Sequence, residues 1–216
     1  EITTRLVGSE MCIRDRITVK GVNGIKWKSS NPSVVSVSQN GTIYARKTGN
    51  AVLMGTLGDM QLGCAVSVVI PARKRTVQKA VQIAKTCTYS QPKRMQEKFY
   101  DCSSLVWKSY HKNGVNFGMA YYAPVAADMG KWCAQHKKLV SGGLSQANIQ
   151  NMKLNPGDVM FETGQKNGRY KGIYHVEMIT GYIFYGFDGN GKAELGIQWA
   201  TGDEKYYPMG QMVGRP

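Results

Sequence analysis

No apolar run in the sequence approaches the roughly 18 residues that a membrane-crossing helix requires. Histidine is scarce, with three in 216 residues (His111, His136 and His175). None of the five cysteines (Cys12, Cys64, Cys87, Cys102 and Cys133) belongs to a C-x-x-C pair. An odd number at irregular spacing argues against a disulfide framework, and so few imidazoles argue against a zinc or other metal centre. No metal and no cofactor is expected. Acidic residues are few as well, 14 against 28 basic ones, for a net charge of +14. That excess draws a protein toward polyanions such as nucleic acid, acidic lipid or an anionic wall polymer. The basic residues are scattered through Lys26, Lys28, Arg73 to Arg75, Lys137, Lys138 and Lys166. No dense tract suggests a nucleic-acid groove, so nucleic acid is not an expected partner.

The composition is otherwise that of an ordinary globular protein, 42% hydrophobic and 19% charged, long enough for one large domain or two small ones. Residues 1–16 stand apart. Leu6-Val7-Gly8-Ser9-Glu10-Met11-Cys12-Ile13-Arg14-Asp15-Arg16 resembles the conceptual translation of a sequencing-library adapter, and no apolar core of a signal peptide accompanies it. The expectation is an artefact at 1–16, with any export signal missing from this chain.

Residues 17–70 read as short strands. Ser33 to Ser38 nearly alternates, Asn40-Gly41 is a hairpin turn signal, and Thr42 to Ala45 and Ala51 to Met54 follow. Cys64, Val66, Val68 and Ile70 fall on one face of a further strand. This spacing predicts a small all-β sandwich. Ile25-Lys26-Trp27-Lys28-Ser29-Ser30-Asn31-Pro32-Ser33-Val34-Val35-Ser36-Val37, then Asn40-Gly41-Thr42-Ile43 and Lys47-Thr48-Gly49-Asn50-Ala51, resembles a bacterial immunoglobulin-like domain of group 2. The resemblance implies a core of Trp27 and the valines, Cys64 as a core thiol outside any inter-sheet disulfide, a first strand shortened or lost, and a spacer or wall-binding role.

Pro71 to Arg75 reads as a short basic linker (71–75), and the period changes after it. Val77, Ala80, Val81 and Ala84 predict a helix over Thr76 to Lys85 that opens a second domain, 76–216. A second helix starts at Cys102. A third runs from Tyr122 to Lys137, with Pro124 in its first turn and a stripe of Val125, Met129, Trp132, Cys133 and His136. His136 reads as a core-edge residue and Cys133 as a packed thiol. Beyond Gly157 strands follow at Asp158 to Phe161, Gly172 to Thr180, Ile183 to Gly186 and Leu195 to Ala200. A helical half followed by an antiparallel sheet is an α+β arrangement.

Phe99-Tyr100-Asp101-Cys102-Ser103-Ser104-Leu105-Val106 puts a cysteine at a helix start, with Leu105 and Val106 beginning the apolar side. Unpaired N–H groups and the positive end of the helix dipole favour thiolate over thiol there. With a base nearby such a cysteine is a nucleophile. His175, 73 residues later and at the head of an apolar strand, is the histidine outside any helix stripe. A third residue must orient that base. Strand alternation places Leu195, Ile197 and Trp199 on a core-like face and Gly196, Gln198 and Ala200 on the other, which favours Gln198. Trp199 stands next to it, but indole cannot accept a hydrogen bond.

Together with Leu154-Asn155-Pro156-Gly157-Asp158-Val159-Met160-Phe161, His175-Val176-Glu177-Met178-Ile179-Thr180-Gly181 and the terminal Gly214-Arg215-Pro216, that octet resembles the NlpC-type cysteine peptidases. These are papain-like enzymes that cut bacterial cell-wall peptides. The resemblance implies a papain-like fold for 76–216, Cys102 as nucleophile and His175 as base. It also implies Asp101 and Ser103 as the binders of a substrate's free amino group, and Tyr89 as a wall of the site near the oxyanion. The family's usual third histidine has no counterpart here, and lining up Ala200 with the family's small residue puts Trp199 in its place. Glu177 departs from the small residue usual after His-Val.

The expected function is that of a secreted peptidoglycan hydrolase cleaving the γ-D-glutamyl–diamino acid bond of stem peptides. Two alternatives are an N-acetylmuramoyl-L-alanine amidase and an inactive wall-binding or adhesion protein. Stem peptides and anionic wall polymers are the expected partners of a monomer. Gly186 to Ala193 nearly spells a phosphate loop, but Ala193 replaces the needed hydroxyl and a strand follows, so it reads as a hairpin turn.

Overall fold

The computed structural model describes residues 5–8, 14–16, 24–202 and 205–216, the first two stretches as backbone only. Cys12 and most of the stretch 1–16 lie outside the described residues. The first sheet runs β1-β7-β6-β3, from β1 (Arg5–Gly8), β3 (Lys26–Ser29), β6 (Gly49–Leu57) and β7 (Met60–Val69). The facing sheet runs β2-β5-β4, from β2 (Arg14–Arg16), β4 (Val35–Val37) and β5 (Thr42–Ala45). Between them lie Ile25, Trp27, Val34, Val35, Ile43, Leu53, Cys64, Val66 and Val68. This is the expected sandwich, built on period-2 alternation. The place beside β7 where a first strand was expected to be shortened or lost is taken by Arg5–Gly8, paired in parallel.

The basic segment expected as a linker is helix. α1 spans Pro71–Thr86, with Pro71 in its first turn, where a missing N–H costs nothing. Ile70 caps it and is exposed, so the inward face of β7 ends at Val68. Arg73 is held by tertiary contacts, to the carbonyls of Pro156 and Pro216 and to Asp158. A parallel pair, β8 (Thr88–Tyr89) and β9 (Phe99–Tyr100), then leads into α2 (Cys102–His111). α3 covers Ala126–Gln135, a shorter helix than expected, because Val125 precedes it in extended backbone. Its Cys133 is buried as expected, whereas His136 caps the helix in solvent, stacked on Trp132 at 4.3 Å. α4 (Gln146–Gln150) completes the helices.

An antiparallel sheet in the order β12-β11-β10-β13 follows, from β10 (Val159–Glu162), β11 (His175–Phe187), β12 (Ala193–Trp199) and β13 (Met212–Gly214). The two strands expected at Gly172 to Thr180 and Ile183 to Gly186 are one long β11, entered from a 3-10 turn at Tyr170–Gly172. One sheet face (Val159, Phe161, Val176, Met178, Ala200) packs on Val77, Ala80, Ile83, Leu105, Val106 and Met129 of the helices. Asp188 closes the β11–β12 hairpin by accepting from the Asn190 and Lys192 N–H groups, so the near-match to a phosphate loop is a turn. Asp158, wholly buried, takes a two-pronged grip from Arg215 at 2.9 and 2.8 Å, which ties Pro156-Gly157-Asp158 to the last residues of the chain.

The other sheet face meets the sandwich. Val52 and Ala65 share a core with Leu144, Ile149, Met160, Ile179, Tyr182 and Trp199. The Asn50 amide donates to the carbonyls of Met152 and Leu154 and to the Asn155 side chain, at 2.9 to 3.0 Å. The Phe184 ring occupies the space that a Cβ would need at Gly63. β7 is therefore buried on both faces, one in the sandwich and one against β11.

Candidate active site

Asp101 starts α2. Its Oδ1 accepts from the Ser104 N–H at 2.7 Å while Ser104 Oγ accepts from the Asp101 N–H at 2.8 Å, a reciprocal cap. A cap of this kind is worth about 1 kcal/mol, and it fixes the direction in which the next residue points. That residue is Cys102, half-buried, in the first turn. The backbone N–H groups of Val176 and Ser103 face its sulfur. Val176 directly follows His175, so the start of β11 lies against the start of α2.

His175 opens β11 opposite Glu162 of β10. Its Nε2 lies 3.3 Å from the Tyr207 hydroxyl, and the two rings stack at 5.9 Å with 21° between planes. Tyr207 is buried, packed edge-on against Trp199 at 4.8 Å. Gln198, the expected orienting residue, is elsewhere. It pairs with Gly181, six residues along β11 from His175. At about 3.3 Å per residue that is roughly 20 Å, beyond the reach of a glutamine. Gln198 lines a groove of 480 Å³ against Val77, Val81 and Ala84 of α1. The expected alternation is right, with Leu195, Ile197 and Trp199 facing the core, but the opposite face looks onto α1. Tyr207 takes the position on the imidazole instead.

The electrostatics depart from the simple helix-start expectation. Burial pushes the Cys102 thiol above its usual range and the adjacent Asp101 carboxylate pushes it further. The N–H groups of Val176 and Ser103 and the charge of Arg94 oppose this without reversing it. Burial also holds His175 below the usual imidazole range, with Glu162 acting against the shift and Lys205 adding to it. Both shifts favour the uncharged forms, thiol and imidazole.

Tyr89 lies on β8 beside Tyr100, their rings edge-on at 5.5 Å, and its phenol oxygen faces the Cys102 N–H. Burial and the charges of Cys102 and Asp101 push its pKa up, so it stays a donor. Asp101 and Ser103 are not open to solvent. Arg94 lies 3.2 Å from Asp101 Oδ2 and donates to Ser103 Oγ at 3.0 Å. Glu177, on the His175 face of β11, is buried and accepts from Thr201 Oγ1 at 2.6 Å, with Lys205 at 3.8 Å. Burial raises its pKa.

Sequence reasoning thus brought Cys102, His175, Tyr89, Asp101 and Ser103 into one neighbourhood, and missed Arg94 and Tyr207. Both missed residues sit outside helices and strands, where no periodic signal marks them. Among the described residues no group of three or more His, Cys, Asp or Glu side chains could hold a metal, and no helix is long and apolar enough to cross a membrane.

Comparison with known families identifies one part of the chain. Residues 2–68 match the bacterial Ig-like domain (group 2), so the sandwich is a domain of that group. The match begins within the stretch 1–16. No curated protein matches the chain.

Proposed function

We propose that the C-terminal unit is a papain-like cysteine peptidase of the NlpC type. It hydrolyses the γ-D-glutamyl–diamino acid bond of stem peptides in the bacterial wall, to which the protein is exported. The observation that carries this reading is that Cys102, at the start of α2, faces the N–H of Val176, the residue that follows His175 on β11.

With Nε2 engaged by Tyr207, Nδ1 is the His175 nitrogen left for the thiol. The imidazole takes the Cys102 proton as sulfur bonds to the scissile carbonyl carbon. Charge gathers on the carbonyl oxygen, and the Tyr89 hydroxyl is the donor next to it. The C–N bond breaks as His175 returns the proton to the leaving amine. Water, deprotonated by the same imidazole, then cleaves the thioester and restores the thiol. Tyr207 touches neither substrate nor sulfur in this scheme and is a positioning residue for the ring.

Digestion of purified muropeptides, followed by product masses, tests the reading. New amino groups on the diamino acid are expected from the wild type and none from Cys102→Ala. Release of whole stem peptides would assign the amide between muramic acid and L-alanine instead. Equal release by the variant would refute thiol chemistry altogether. A second reading, a wall-binding protein with an idle peptidase fold, is favoured by the raised thiol pKa and by a tyrosine hydroxyl, rather than a carboxamide oxygen, on His175 Nε2. It predicts no thioester-forming reactivity at Cys102 above that of a simple buried thiol.

A further inference from the structure

Asp101 immediately precedes the nucleophile, and an unpaired carboxylate there would favour a substrate carrying an ammonium group beside the scissile bond. Arg94 occupies it. Nη1 lies 3.2 Å from Asp101 Oδ2, and Nη2 donates at 3.0 Å to Ser103 Oγ, which itself donates to Oδ1 at 3.3 Å. The other donor on Oδ1 is the Ser104 N–H. Each Asp101 oxygen therefore already carries a donor. The guanidinium is anchored from behind as well, with Nη2 donating to the carbonyls of Ala123 at 2.8 Å and Pro124 at 3.1 Å, and with the Tyr122 ring 5.5 Å away. The Arg94 and Asp101 side chains are 11% and 6% exposed, so the pair is an internal part of the site wall.

We propose that Arg94 sets the charge selectivity of the cleft. By holding Asp101 and Ser103 it occupies the carboxylate beside Cys102 that a free amino terminus would otherwise bind. The site then takes stem peptides whose first amine is acylated, as it is while the peptide hangs from the glycan, at least as well as trimmed peptides with a free amine. The substrate half of this statement rests on Cys102 being the nucleophile toward stem peptides; the charge half does not.

Two readouts separate those halves. Methanethiosulfonates of opposite charge, aminoethyl (cationic) and sulfonatoethyl (anionic), form a mixed disulfide with Cys102 and release methanesulfinate, and peptide mass gives the rate at this residue without any hydrolysis. In the wild type the cation is expected to react no faster than the anion. In Arg94→Gln the ratio is expected to move toward the cation by about tenfold or more, the scale of one uncovered charge a few ångströms away. Arg94→Lys, which keeps the charge, is expected to stay near the wild-type ratio. A wild type that favours the cation tenfold overturns the proposal even if Arg94→Gln fails to fold. So does an Arg94→Gln protein that melts normally with an unchanged ratio. On stem peptides differing only by N-acetylation, wild-type rates are expected to agree within about threefold or to favour the acetylated one; a tenfold preference for the free amine overturns the selectivity. Hydrolysis of neither peptide counts against the peptidase reading, and the reagent ratio still decides the charge claim.

Discussion

The sandwich and the C-terminal unit bury different kinds of side chain. Among the described residues the sandwich buries Ser29 and Ser67 as its polar side chains, with no charged one. The C-terminal unit buries Asp101, Asp158 and Glu177 together with Thr76, Ser103, Ser104, Ser109 and Thr180. A buried carboxylate is costly unless it is paired, and each of the three has a cation: Arg94, Arg215 with Arg73, and Lys205. Two of the three lie within two residues of Cys102 or His175, while the third ties the chain end to the sheet. Among the described residues the sandwich interior is thus apolar apart from two serines, and the second unit spends part of its interior on fixing polar groups near a thiol and an imidazole. The two units also share a core through Val52 and Ala65, so the Ig-like domain backs the sheet that carries His175.

That contrast can be broken at several points. The largest effect is expected from His175→Ala, which should lower kcat on muropeptides by about 10²- to 10⁴-fold, the range for loss of a general base. Gly63→Val should force the Phe184 ring out of the shared core. Overpacking of this kind costs about 1–3 kcal/mol, read as a lower urea midpoint for a single transition of both units. Two separate transitions, with the second unmoved, would contradict a shared core. Tyr207→Phe keeps the ring contacts with Trp199 and removes only the hydroxyl on Nε2. It should lower kcat about tenfold with KM unchanged, since one hydrogen bond of about 1–2 kcal/mol is lost. The smallest effect is expected at Glu177. Its folded pKa lies above the ordinary carboxylate value, so the native state holds a proton that the unfolded chain has released. Its contribution to stability is full below the unfolded carboxylate pKa of about 4.3 and is lost as pH rises through the higher folded pKa, and Glu177→Gln should flatten that slope in urea titrations.

Much of the sandwich was readable because its strands face one core. Trp27, Val35, Ile43, Cys64 and Val66 alternate with exposed or small residues, and turn signals separate them. Gly63, Ala65 and Ser67 on the second face of β7 are small, which is the mark of a close approach, but alternation alone does not say what approaches. The helix at Pro71 was misread because Ala72-Arg73-Lys74-Arg75 has no apolar period; Arg73 is used for Asp158 instead. The places of Cys102 and His175 at the heads of a helix and a strand were legible. Their neighbours Arg94 and Tyr207 were not. Arg94 stands in a polar loop, and Tyr207 in an irregular stretch after β12, brought back over His175 by the tertiary fold. The helix-start argument for a thiolate also gave the wrong sign, because burial and Asp101 outweigh the N–H groups that face the sulfur.

The account turns on Cys102 and His175 working as a pair. The most direct measurement is the rate of iodoacetamide alkylation at Cys102, followed by peptide mass from about pH 5 to 9 in the wild type and in His175→Ala. The wild-type rate is expected to rise as His175 loses its proton, with a midpoint below the ordinary imidazole value of about 6.5, and to fall to that of a simple buried thiol in the variant. Identical profiles in the two proteins would contradict the pairing and leave Cys102 an ordinary thiol at a helix end.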